Sequence, residues 1–418
     1  MDNGIRILSE EMPGTRSVSL GIWVENGSRH EPQHQNGISH FIEHLFFKGT
    51  ERRSAARIAE EMDSVGGVLN AFTGKEYTCY YAKVLDENLP LAIDLLTDIL
   101  LHSVFDGEEI ERERSVILQE ICQVEDTPDD YVHDLFNVDF FQGHSLGLPI
   151  CGQAVTVSRF RREDFLDFVN ERYLPSRVIV AAAGHLNHAD LCREMEAKLG
   201  AVSGWGSRSH APKIATEDPP TPQSGVFRHS KPLEQVHFCL GVAGIFQSHP
   251  QRYAAYVLNT ILGGGMSSRL FQEIREKRGR AYSIYSFLSS YRDAGYFGVY
   301  AGTSLEWAEE VVDLTIKEMG RFTKGEFREE ELERAKSQLV GNMILGLESS
   351  DSWMSHIAKN EIYFRRQISL EEISQGIRSV SRSDVLGLAD TLFRPDKMAL
   401  TLLGNLEKKH LDLPIMPA

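Results

Sequence analysis

Three observations predict an α+β protein of two related halves, each a mostly antiparallel sheet covered by helices. Between Gly204 and Gln235 periodicity lapses, and Gly204, Gly206, Pro212, Pro219, Pro220, Pro222 and Pro232 gather with Ser and Thr between them. That composition reads as a Pro/Gly-rich linker. The signals on its two sides then repeat in order. Finally, strands alternate with long helices without a strict βαβ rhythm. The expected division is residues 1–203, a linker at 204–235, and residues 236–418.

Each half opens with an alternating apolar segment, Val18 to Val24 in the first and Val236 to Val242 in the second, and a helical stretch follows. Downstream, Glu108-Glu109-Ile110-Glu111-Arg112 is echoed by Glu330-Glu331-Leu332-Glu333-Arg334, each beginning a long helix. Each half then nears its end with a strand closing on glycine, Val178 to Gly184 and Met398 to Gly404. Duplication followed by divergence accounts for the pattern. When the two long helices are superimposed, Ala335 stands against Glu113 and Asn342 against Glu120, so the halves carry different chemistry.

A chain of 418 residues, 42% hydrophobic, exceeds what one core usually organises. Its formal charge of −16, from 60 acidic and 44 basic residues, argues against a nucleic-acid partner, which needs clustered Lys and Arg. The five cysteines, Cys79, Cys122, Cys151, Cys192 and Cys239, form no CxxC pair, so neither a disulfide framework nor a thiolate metal site is signalled. Met1-Asp2-Asn3-Gly4-Ile5-Arg6 has no signal-sequence character, and no apolar run approaches the roughly 18 residues that span a bilayer. The expectation is a soluble protein with no membrane partner in a bacterial-type cytoplasm. An organellar matrix stays open for a chain that has lost a targeting segment.

The chemistry concentrates in His40-Phe41-Ile42-Glu43-His44, which follows a plausible helix start at Asn36-Gly37 and precedes a stop at Gly49. At 3.6 residues per turn the two imidazoles stand one above the other, with Glu43 on the same flank. Two such imidazoles can share one ion, and zinc suits imidazole and carboxylate ligands. The five-residue pattern alone would arise by chance in roughly one such chain in twenty-five. A second helix shifts the balance: Ile110, Ile117, Leu118, Ile121 and Val124 mark a buried stripe, and Glu113 and Glu120 fall along it. A lone carboxylate is expensive to bury, so both need a metal, a charge or hydrogen-bond donors. A solvated acidic face is the bland alternative.

His40, Glu43, His44, Glu113 and Glu120 together resemble the pattern of the HxxEH inverzincin metallopeptidases of family M16, which includes pitrilysin, insulin-degrading enzyme and the mitochondrial processing peptidase. The likeness runs along nearly the whole chain, as in its half-length members. It implies the metallohydrolase fold of the processing-peptidase type, a zinc-dependent endopeptidase, one Zn2+ per chain held by His40, His44 and Glu120, Glu43 as the catalytic base, and Glu113 supporting an imidazole. His30, His34 and His144 fall outside the motif and are expected to be ordinary polar residues.

Gly66-Gly67-Val68-Leu69-Asn70-Ala71-Phe72-Thr73 resembles the family's exposed edge strand, onto which an extended peptide adds. Asn70, Ala71 and Phe72 would then contact substrate. Gly263-Gly264-Gly265-Met266, followed by Arg275 and Tyr282, resembles the family's glycine-rich turn and the Arg/Tyr pair that holds the substrate carbonyl. By the same likeness, Asp130 and Asp134, one helical turn apart beyond Glu120, would accept a basic residue just before the cut bond. Caps of a helix after Pro128 explain Asp129 and Asp130 equally well. The likeness further implies a homodimer enclosing a chamber. Two other readings stay open: a non-catalytic or weakly active core subunit of the same fold, and a metal-dependent hydrolase of non-peptide substrates.

Overall fold

Branched and aromatic side chains crowd Ser17–Val24, and in the computed structural model, which describes residues 1–200, 218–408 and 411–413, this segment is the central strand of a five-stranded sheet. The strands are β1 (Arg6–Glu11), β2 (Ser17–Val24), β3 (Val68–Thr73), β4 (Thr78–Leu85) and β5 (Val178–Gly184), in the order β1-β5-β2-β4-β3. β1 runs parallel to β5, and the other pairings are antiparallel. Helices α1 (Ile38–Phe46), α2 (Ala55–Asp63), α3 (Leu89–His102) and α4 (Gly107–Glu125) cover one face. Ile38, Phe41, Leu45, Leu96 and Ile117 are buried there with Leu20, Ile22 and Val180.

After α5 (Pro128–Phe140), α6 (Ala154–Val157), α7 (Arg162–Arg172) and α8 (His188–Leu199), the plan repeats. The second sheet contains β6 (Gly225–Ser230), β7 (Gln235–Ala243), β8 (Ala281–Ser290), β9 (Gly295–Ser304) and β10 (Ala399–Gly404). Its order, β6-β10-β7-β9-β8, again has a parallel outer strand and antiparallel partners inside. Its helices are α9 (Arg252–Gly263), α10 (Ala308–Thr323), α11 (Glu329–Gly346), α13 (Leu370–Arg378) and α14 (Arg382–Leu392), with α12 (Ser350–Phe364) intervening in sequence. Identical strand orders are what an internal repeat requires.

The expected linker at 204–235 differs from what forms. Residues 204–217 lie outside the described ones, while Gly225–Ser230 is β6. β1, with five half-buried residues and one exposed, lacks the clean alternation that marks a strand in a sequence.

The two units also differ from contiguous halves. One comprises Met1–Gln123, a segment beginning at Leu148, and Gly346–Gln367; the other takes Val124–Gly147 and the remainder. Thus α12 belongs to the first sheet and α5 to the second. Met354, Ile357, Ala358 and Ile362 of α12 pack on Trp23, Cys79, Ile179 and Ala181. This second layer explains why β2 is buried on both faces almost throughout. In the other unit, Val132, Phe136 and Phe140 of α5 pack on Cys239, Tyr296, Tyr300 and Leu403. Gly241 permits that approach, since a Cβ there would lie 2.4 Å from the Phe136 ring.

Among the described residues no helix is long and apolar enough to cross a membrane. All five cysteines are free.

Candidate metal centre

The short helix α1 is set by its N-terminus. Gly37 has φ +97°, and its Cα faces Gly152 so closely that a Cβ would sit 2.7 Å from the Gly152 Cα. Buried Glu31 completes the cap. One oxygen accepts the Ser39 N–H at 2.8 Å; the other accepts the Gly37 N–H at 2.8 Å and the Asn36 amide at 3.2 Å. Burial pushes this carboxyl up to about 7, against the opposing pull of those hydrogen bonds.

From this fixed start, His40 and His44 come round one turn apart with ring centroids 4.8 Å apart. α4 supplies the carboxylates. Glu120, half-exposed, places one oxygen 3.7 Å from His40 Nε2 and the other 3.7 Å from His44 Nε2. One ligand atom from each of the three residues can be chosen so that all lie within 4.8 Å of one another.

These separations suit a cation better than direct hydrogen bonds. They exceed hydrogen-bonding range, whereas ligand atoms about 2.1 Å from a tetrahedral zinc stand about 3.4 Å apart. Two imidazoles and a carboxylate are a donor set that could hold zinc. Burial, reinforced by neighbouring His44, pulls His40 down to about 4, so its ring is neutral and offers a lone pair near pH 7.

Glu113 is buried, as its place on the apolar stripe requires, and its charge is answered from two sides. His44 Nδ1 is 3.0 Å from one oxygen, and Lys48 Nζ is 2.7 Å from the other. The first contact leaves His44 Nε2 for a metal. His40 has no comparable support: its buried Nδ1 has no partner among the described residues.

Glu43 is no part of the three-residue cluster. The Thr73 hydroxyl donates to its carboxylate, tying it to the end of β3. Burial raises Glu43 above the usual carboxylate range; the Thr73 bond and the His44 charge oppose the rise, and the Glu120 charge adds to it. Thr73 and Lys48 were missed as site residues in the sequence. Lys48 could have been found as the residue four after His44, whereas Thr73 meets Glu43 only through the tertiary fold.

Asn70, Ala71 and Phe72 lie in β3, an edge strand of its sheet. The Ala71 amide is satisfied by the Asn70 side chain at 2.8 Å. Strand alternation sends Leu69 and Ala71 toward the helical core, while Phe72 packs edge-on to Trp23, with ring centroids 5.4 Å apart, on the opposite face.

Arg275 and Tyr282 belong to the second unit, where the guanidinium lies 5.5 Å from the ring of a largely exposed Tyr282. Asp130 and Asp134 lie on α5 in that unit, beside His133, whose Nε2 is 3.1 Å from the Tyr285 hydroxyl. His30 and His144 serve their loops, their Nδ1 atoms accepting the Gly27 and Leu146 amides.

The fold and this constellation define a metallopeptidase-type chain. Residues 6–154 match the family described as Insulinase (Peptidase family M16), and residues 159–339 match the Peptidase M16 inactive domain. The chain belongs to peptidase family M16. It is 41% identical over 404 residues to an uncharacterized zinc protease of Bacillus subtilis, covering 96% of each chain. It is also 41% identical over 414 residues to an uncharacterized zinc protease of Streptomyces coelicolor, covering 98% of this chain and 90% of that one.

Among solved structures, a protease from Helicobacter pylori has the same fold with a TM-score of 0.89 at 22% identity, covering 97% of this chain and 98% of that one. A Pseudomonas fluorescens structure described as a peptidase M16 inactive domain also gives 0.89, at 20% identity, with coverage of 99% and 98%.

Proposed function

We propose that the chain is a zinc-dependent endopeptidase that cuts extended peptides or unfolded segments held as a strand added to β3. The observation that carries the proposal is the convergence of His40, His44 and Glu120 beside a Glu43 that is free of the cluster. His40, His44 and Glu120 would hold the ion. When bound, zinc acidifies a water and polarises a carbonyl.

Glu43 takes the proton from the attacking water and passes it to the departing amine. The Thr73 hydroxyl fixes the carboxylate for that task. Arg275 and Tyr282 are assigned to the developing oxyanion, and Asp130 with Asp134 to a basic residue just before the cut bond. The working form is a homodimer, and the chain acts in the cytoplasm.

A core-subunit role without catalysis has less support, because every group the reaction needs in α1 and α4 is present. Metal analysis beside cleavage of a quenched peptide tests the proposal. About one zinc per chain, with Glu43→Gln keeping the metal and losing about a hundredfold or more in kcat, is the expected result. A fully active Glu43→Gln protein overturns it.

A further inference from the structure

The two faces of β3 open onto different surroundings, and the face away from the metal centre holds a second recognition element. There a cavity of about 410 Å³ is bounded by Phe72 and Tyr81 of the sheet and by Asp351, Ser355, His356 and Lys359 of α12. Every one of these residues belongs to the first unit. Phe72 is 36% exposed, and its free surface is a wall of this cavity.

The charges are unequal. Asp351 is neutralised by Lys83 at 2.6 Å, whereas Lys359 has no carboxylate partner among the described residues. An unpaired ammonium beside an aromatic wall, in a chain of net charge −16, is a local exception that suits an anionic side chain.

We infer that Lys359 is a specificity-determining residue: it receives an Asp or Glu side chain of the peptide strand paired with β3. The inference rests on the strand-addition reading above. An added strand sends successive side chains to opposite faces. Phe72 adjoins Thr73, which touches Glu43, so the side chain entering the cavity comes from a residue within about two positions of the cut bond. Selection therefore falls at positions of one parity, and the intervening positions, facing α1, do not feel Lys359.

The test uses the zinc-loaded full-length protein and quenched peptides in which Glu, Gln or Lys is placed in turn at each of three positions on either side of the bond. At positions of one parity, Glu is expected to exceed Gln by about fivefold in kcat/KM, the scale of a partly exposed ion pair. Lys359→Met abolishes that preference, and Lys359→Glu transfers it to Lys peptides. Efficient cleavage with Glu/Gln ratios identical in all three proteins overturns the role of Lys359 alone. A preference present at adjacent positions equally also overturns it, because a strand alternates. Failure to cut any peptide overturns the peptidase reading and this inference with it.

Discussion

Arg365 grips Glu25 with both guanidinium nitrogens, Nη1 to Oε1 at 2.8 Å and Nη2 to Oε2 at 2.7 Å, and so pins the end of α12 to the sheet it covers. Glu25 follows β2 in sequence and is buried; Arg6 of β1 also reaches it, and bonds Glu361 of α12 at 2.8 Å. The fork makes a planar bidentate pair that a lysine cannot reproduce. Arg365→Ala is expected to lower stability by about 2 kcal/mol, the scale of hydrogen bonds to a charged group. Arg365→Lys should recover only part. Urea unfolding of the two variants measures the difference.

Glu113 acts on the proposed metal through His44. Glu113→Gln keeps a hydrogen-bonding side chain but removes the charge shared by His44 Nδ1 and Lys48. Zinc affinity should fall about tenfold to a hundredfold. Competition with a chelating dye reads this directly. An unchanged affinity would separate Glu113 from metal retention and leave it a partner of Lys48.

The pH dependence of stability should carry the signature of Glu31. Its carboxyl is raised from 4.5 to about 7 in the folded chain, so folding takes up a proton between those values. That contribution is complete below about pH 4.5 and is lost as pH rises through about 7, a change of roughly 3 kcal/mol. Glu31→Gln removes the titration. The difference in urea midpoint between wild type and Glu31→Gln should therefore shift between pH 5 and pH 8, in favour of the variant at pH 8.

Strand addition can be tested at a single amide. The Ala71 N–H donates to the Asn70 side chain, so a substrate strand would exchange that local bond for its own. Ala71→Pro deletes the donor on an edge strand, where proline is tolerated. kcat/KM for extended peptides should drop about tenfold, with zinc content and unfolding midpoint nearly unchanged. Equal rates would show that peptides do not pair at that position.

Much of the candidate site was legible in the sequence because it depends on local periodicity. One helical turn separates His40 from His44, and two separate Glu113 from Glu120, so helix geometry alone aligns each pair. The repeat of sheet and long helix was legible for the same reason: buried strands and amphipathic helices write their periods into the chain. Tertiary structure decided what periodicity cannot express. It set the distances between α1 and α4 and brought Thr73 onto Glu43 across 30 residues. It drew β6 out of a stretch that reads as linker, because only pairing with β10 satisfies that backbone. It also gave α5 and α12 to sheets in the opposite half of the chain. Local sequence fixes which face of a helix is apolar, but the surface that face covers is chosen by packing, and nothing in a helix's own residues records which sheet that will be.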